Sequence, residues 1–146
     1  MTRRMAIAVL SLGGIFVSAY LWLYKLGYMG TIACGATGGC ETVQSSPQSA
    51  FLGIDVAFIG VVGYVVLLAL ALVSLQPRFL HGGWPLRLLA LLSGGAFAFT
   101  LYLKYLEFFV IGAICRWCVV SAVLITLIFL LSVLELRRAT PAGAQA

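Results

Sequence analysis

The sequence predicts an all-α membrane protein, a bundle of four transmembrane helices with an extracytoplasmic loop carrying a short half-helix. Three observations lead there. Of 146 residues, 63% are hydrophobic and 9% charged, and the mean hydropathy is +1.13. A soluble domain of this size has too much surface to hide so much apolar side chain. Four runs are each long enough to cross a bilayer, whose ~30 Å hydrocarbon core needs ~20 helical residues at ~1.5 Å each. Finally, the basic residues collect on one side of those runs, as membrane topology requires. Four spans and short connections use the whole length, so residues 1–138 form one compact unit and residues 139–146 a disordered tail.

The first run covers about Met5–Tyr28. Arg3 and Arg4 give it a basic start, and Val17-Ser18-Ala19 resembles a signal-peptide cleavage site. The apolar run continues through Tyr20–Tyr24, too long and too aromatic for a cleaved leader, and is read as a retained helix. The next segment, Gly30–Asp55, is the long loop. Within it Ser46 and Pro47 suit the N-cap and first position of a helix, the short half-helix. Gly53 then breaks that piece, and Asp55 caps the second span, Val56–Leu75. A tight connection with Pro77, Gly82, Gly83 and Pro85 leads into the third span, Leu86–Ala113; the fourth is Val119–Leu136. Gly60, Gly63, Gly94 and Gly95 are expected to allow close helix approach.

The net charge of +5 does not indicate nucleic acid, because the nine basic residues stand in ones and twos near the run boundaries without forming a patch. Arg3, Arg4, Arg78, Arg87, Arg137 and Arg138 share the side of both termini; Lys25, Arg116 and Lys104 lie on the other. That bias places the termini in the cytoplasm. Cys34, Cys40, Cys115 and Cys118, the only cysteines, then all face the extracytoplasmic compartment, where thiols are oxidised.

Cys115 and Cys118 stand two residues apart at the start of the fourth span. This spacing closes a small, reducible disulfide, and a thiolate in a first helical turn gains from the helix dipole and its free amides. Such a pair suits redox exchange, although a turn-tying staple remains open. Cys34 and Cys40 flank a glycine-rich segment and fit either a loop staple or a mobile shuttle disulfide. A four-cysteine zinc site would need all four thiolates at ~2.3 Å, which an oxidising compartment disfavours. His81, the sole histidine, falls on the opposite side. Lys104 and Glu107, one turn apart, read as an interfacial i,i+3 ion pair with Lys104 snorkelling ~27 Å from Leu86. The third-span aromatics Phe97, Phe99, Tyr102, Tyr105, Phe108 and Phe109 are able to line a flat pocket, though lipid contact and helix packing account for most of them.

Together, the separated cysteine pair, "SSPQSAFLGIDVAFIGVVGY" (Ser45–Tyr64) and "YLKYLEFFVIGAICRWC" (Tyr102–Cys118) resemble the vitamin K epoxide reductase family, bacterial-type members above all, over about residues 5–136. The resemblance implies a four-helix bundle around a quinone, ubiquinone or menaquinone. It implies that Cys115 and Cys118 are the active pair with Cys118 nearest the quinone, and that Cys34 and Cys40 shuttle electrons, Cys34 meeting the partner and Cys40 exchanging with Cys115. Ser49 falls where the family places a polar quinone contact, and Phe97 and Tyr102 are further candidates for that site. The expected thiol partner is a separate extracytoplasmic thioredoxin-fold protein of the DsbA type. Where the vertebrate branch has a tyrosine shortly after the Cys-x-x-Cys, this chain has Val119–Ala122, which favours quinone over epoxide as substrate. In the DsbB-type family, also four-span, the Cys-x-x-Cys comes in the first outer loop; here it comes last. The expected activity is membrane thiol:quinone oxidoreduction in support of disulfide formation. Vitamin K epoxide reduction and a non-catalytic, disulfide-stapled scaffold are the alternatives.

Overall fold

The computed structural model describes residues 2–28, 50–51, 53–76, 83–112 and 116–139. Four helices within them are long and apolar enough to cross a membrane. They are α1 (Thr2–Lys25), α2 (Val56–Leu75), α3 (Trp84–Leu106) and α4 (Arg116–Ala139). The second matches the expected span to the residue, the first is shifted by three residues toward the N-terminus, and the fourth extends three residues beyond its expected span at each end. Cys34, Cys40, Ser49, Cys115, residues 46–49 of the expected half-helix, His81 and residues 140–146 lie outside the described residues; Ala50–Phe51 of that half-helix is a strand instead.

Each helix packs on two neighbours, so α1, α2, α3 and α4 close a ring in chain order. Polar pairs fix their directions. Lys25 at the end of α1 meets Asp55 at the start of α2, with Nζ 3.0 Å from Oδ1. Arg4 at the start of α1 reaches the ends of two other helices: Nη1 donates to the Ser74 carbonyl of α2 at 2.6 Å, and Nε to Glu135 Oε1 of α4 at 3.2 Å. Successive helices are therefore antiparallel, and the bundle has a terminal end and a Cys118 end. Arg4 was expected as a topology-setting surface charge; it is 8% exposed, because its guanidinium fork satisfies a carbonyl and a carboxylate at once.

The core lies toward the terminal end. Ile7, Leu67, Ala71, Leu86, Leu89 and Ile128 form one buried cluster with Tyr64 and Ile125. Buried Ser11, Ser74, Ser93 and Ser132 each return their hydroxyl to a backbone carbonyl three or four residues earlier, so small polar residues sit inside the bundle without orphaned donors. At the Cys118 end an aromatic layer takes over. Trp117 packs on Tyr20 with centroids 5.1 Å apart, and Trp22 on Phe58 at 5.0 Å. These ring contacts join α1 to α4 and α2 at the depth where amphipathic aromatics are favoured.

Two local features depart from the expectations. Ahead of α2, β1 (Ala50–Phe51) and β2 (Ile54–Asp55) form a minimal antiparallel hairpin, turning at Gly53 with φ +83°. Asp55 does hold the N-cap position of α2, but its side chain makes no capping hydrogen bond; the carboxylate goes to Lys25 instead. The third span was expected to continue as helix to Ala113. After Leu106 it widens into a π-helical turn, Glu107–Ile111, and stops at Gly112, whose φ of +71° suits glycine. The Gly112 amide donates back to the Glu107 carbonyl at 3.0 Å.

Candidate functional site

Cys118 is the third residue of α4, in its first turn. It is half-buried, beside Trp117 and against Leu21 and Ala57. Unpaired backbone amides at a helix start carry partial positive charge, so a thiolate or a departing sulfur is favoured there. Cys115, its expected disulfide partner, lies outside the described residues.

One side of Cys118 borders a cavity of about 460 Å³ enclosed by all four helices. Along α3 its lining runs from Leu91 to Glu107, about 24 Å at 1.5 Å per residue. It is therefore a slot that follows the helix. Its chemistry changes along that length. Toward the terminal end the wall is Leu67, Leu91, Leu92, Gly95, Ala96 and Ile125; toward the Cys118 end it gains Ser18, Tyr64, Thr100, Lys104, Glu107 and Ser121. Leu91, in the apolar half, is 71% exposed, so the slot opens sideways to the lipid-facing surface.

Glycines shape this space in two ways. A side chain at Gly60 would come within 2.8 Å of Ser18 Oγ, and one at Gly94 within 3.0 Å of the Phe129 ring. These two allow close helix approach, as expected. Gly63 and Gly95 do not: a Cβ at either meets nothing within 4 Å, and both border the cavity. Their missing side chains widen the slot. The ring of Tyr64 lies where a side chain on Gly14 would be, which lets it pack deep against α1.

The polar groups of the wall come in pairs. Tyr64 Oη donates to the Ser121 carbonyl at 2.9 Å and is 2.9 Å from Ser121 Oγ, so α2 delivers a phenol to α4 one turn beyond Cys118. The Thr100 hydroxyl donates to the Ala96 carbonyl at 2.8 Å. Lys104 Nζ hydrogen-bonds Glu107 Oε2 in an i,i+3 ion pair. That pair was expected at the interface with Lys104 snorkelling. It lines the cavity instead, and Glu107 is 3% exposed. The spacing Lys-x-x-Glu was the available signal for the pair; the direction it faces was not readable.

Of the aromatic residues considered for the site, Phe99 lines the cavity. Phe97 does not: it stacks on Phe129 at 5.4 Å. Tyr102 is 48% exposed, outside the cavity lining, and stacks on Phe99 with centroids 6.4 Å apart. The structure thus brings Cys118 together with Tyr64, Ser121, Lys104 and Glu107, and leaves Phe97 and Tyr102 on other faces.

Four apolar spans around a long slot, apolar along one half and bordered by Cys118 at its polar end, define the class: a multi-pass integral membrane protein. Residues 5–133 match the model of the vitamin K epoxide reductase family. The chain belongs to that family and is a membrane oxidoreductase of the quinone- or epoxide-reducing type.

Proposed function

We propose that the chain is a thiol:quinone oxidoreductase that draws electrons from a separate thioredoxin-fold protein and passes them to ubiquinone or menaquinone, supporting disulfide formation outside the cytoplasm. The observation that carries this is Cys118 in the wall of the slot. A flat quinone head suits the polar end beside Cys118, where hydroxyl, ammonium and carboxylate groups converge on an otherwise apolar space. An isoprenoid tail suits the leucine-lined half and leaves to the lipid past Leu91.

The chain's own residues divide the work. A partner thiolate attacks the Cys34–Cys40 disulfide at Cys34, and the freed Cys40 attacks Cys115 of the Cys115–Cys118 disulfide. The partner's second thiol then releases Cys34, which re-forms its bond to Cys40 and frees Cys115 as a thiol. The attack on Cys115 frees Cys118 as a thiolate at the helix start, where amides and dipole favour it. Cys118 borders the slot, and in this reading the last electron transfer leaves from it. The basic asymmetry of the sequence supports a bacterial cytoplasmic-membrane orientation with both termini inside, which puts the four cysteines in an oxidising compartment.

The test is quinone-coupled oxidation of a reduced thioredoxin-fold protein by the purified chain in detergent. One quinol per disulfide is expected with ubiquinone or menaquinone analogues, and far slower turnover of vitamin K epoxide. Cys118→Ala should lower quinone reduction at least ~10³-fold, a barrier increase of ~4 kcal/mol. Full activity in that variant would sink the scheme.

A further inference from the structure

Reduction of a quinone requires protons as well as electrons, and the wall of the slot holds a charged pair, Lys104 and Glu107. Lys104 and Glu107 come from one turn of one chain segment, so their ion pair ties no two helices together. Their side chains are only 17% and 4% exposed. Withdrawing two charges from water carries a large desolvation cost. Glu107 also opens the π-helical turn, an irregularity frequent at functional positions. Among the described residues Glu107 is the hydrogen-bond partner of Lys104. An ammonium has three donors, so two remain for a molecule in the slot. The Tyr64 and Thr100 hydroxyls of the wall already donate to backbone carbonyls.

Resting on the thiol:quinone reading, we infer that Lys104 is the proton donor to one quinone oxygen, with Glu107 holding its ammonium toward the cavity. The balance is as follows. Cys115 and Cys118 lose two electrons and two protons and form one S–S bond. The quinone gains two electrons and its two oxygens each take one proton. Lys104 supplies the first, and one thiol proton, released to water, replaces it; the second thiol proton goes to the other oxygen. The ammonium also polarises the carbonyl before transfer, which favours negative charge arriving there. Among the described residues, the titratable groups facing Lys104 across the slot are Tyr64 of α2 and Cys118 of α4; α1 contributes the neutral Ser18 and Leu21.

Two variants of the full chain test this. Lys104→Arg keeps the ion pair but offers a guanidinium that does not give up its proton. Lys104→Met/Glu107→Leu removes both charges together, avoiding a lone buried carboxylate. Each is assayed with a soluble ubiquinone analogue across pH. Each is also assayed without quinone, as reduction of the oxidised chain by the dithiol partner. The expected result is parental thiol exchange in both variants and quinone turnover lowered ~10²-fold, the usual scale of a positioned acid. The KM for quinone in Lys104→Arg should stay within ~3-fold, since the charge that holds the carbonyl is kept. Lys104→Arg with parental kcat for quinone reduction overturns this inference alone. A parent chain that exchanges thiols but reduces no quinone overturns the underlying reading and this inference together.

Discussion

The two ends of the bundle each bury a basic–acidic pair, and the pairs are built differently. At the terminal end Arg4 of α1 bonds Glu135 of α4 and the Ser74 carbonyl of α2, so one side chain locks three helices around the dense core of Ile7, Leu86, Leu89 and Ile128. At the Cys118 end Lys104 and Glu107 pair along a single chain segment and face a cavity. A cross-helix pair holds architecture, whereas a local pair on a cavity wall leaves its donors to a ligand. The same four helices are thus closed at one end and receptive at the other.

Breaking the lock should produce the largest change in stability. Arg4→Met leaves Glu135 buried without its partner, and such losses cost ~3–5 kcal/mol. The measurement is a thermal or denaturant melt in detergent, with Arg4→Met/Glu135→Leu expected to recover most of the loss. Filling the receptive end should act on function without that cost. Gly95→Leu replaces a poor helix former, a gain of up to ~1 kcal/mol in propensity, and places a side chain where a Cβ meets nothing within 4 Å. The KM for quinone should rise roughly ten-fold, equivalent to ~1.4 kcal/mol, with the melt unchanged or higher. An unchanged KM would remove the slot from the substrate's path. The smallest effect is expected at Lys25–Asp55, whose side chains are 21% and 31% exposed. Lys25→Gln should shift the melt by less than ~1 kcal/mol, and less again in salt.

The sequence was legible where length and composition carry the information. Val56–Leu75 appears as a helix over those residues, because twenty apolar residues in lipid have no other way to satisfy their backbone. The start of α4 at Arg116 puts Cys118 in a first turn, as the spacing implied. Legibility ended at questions of direction. Phe97 and Tyr102 looked as suitable for the site as Phe99, and only Phe99 lines it. Lys104 read as a snorkelling residue and Arg4 as a topological charge, and both are largely withdrawn from water. Tyr64 and Ser121 drew no attention as a pair, since 57 residues separate them.

By itself, the sequence determined the number of spans, where each runs to within about two turns, the membrane as solvent and the placing of a cysteine near the start of the last helix. It did so because hydrocarbon thickness sets run length and unpaired backbone is intolerable in lipid. Tertiary structure alone decided which faces turn inward, where the slot runs and which charges meet. In water an apolar stripe marks the buried face of a helix. In a bilayer lipid and protein interior are equally apolar, so that stripe fades, and the inward face is chosen by close packing and a few polar contacts that appear only once the four helices are together.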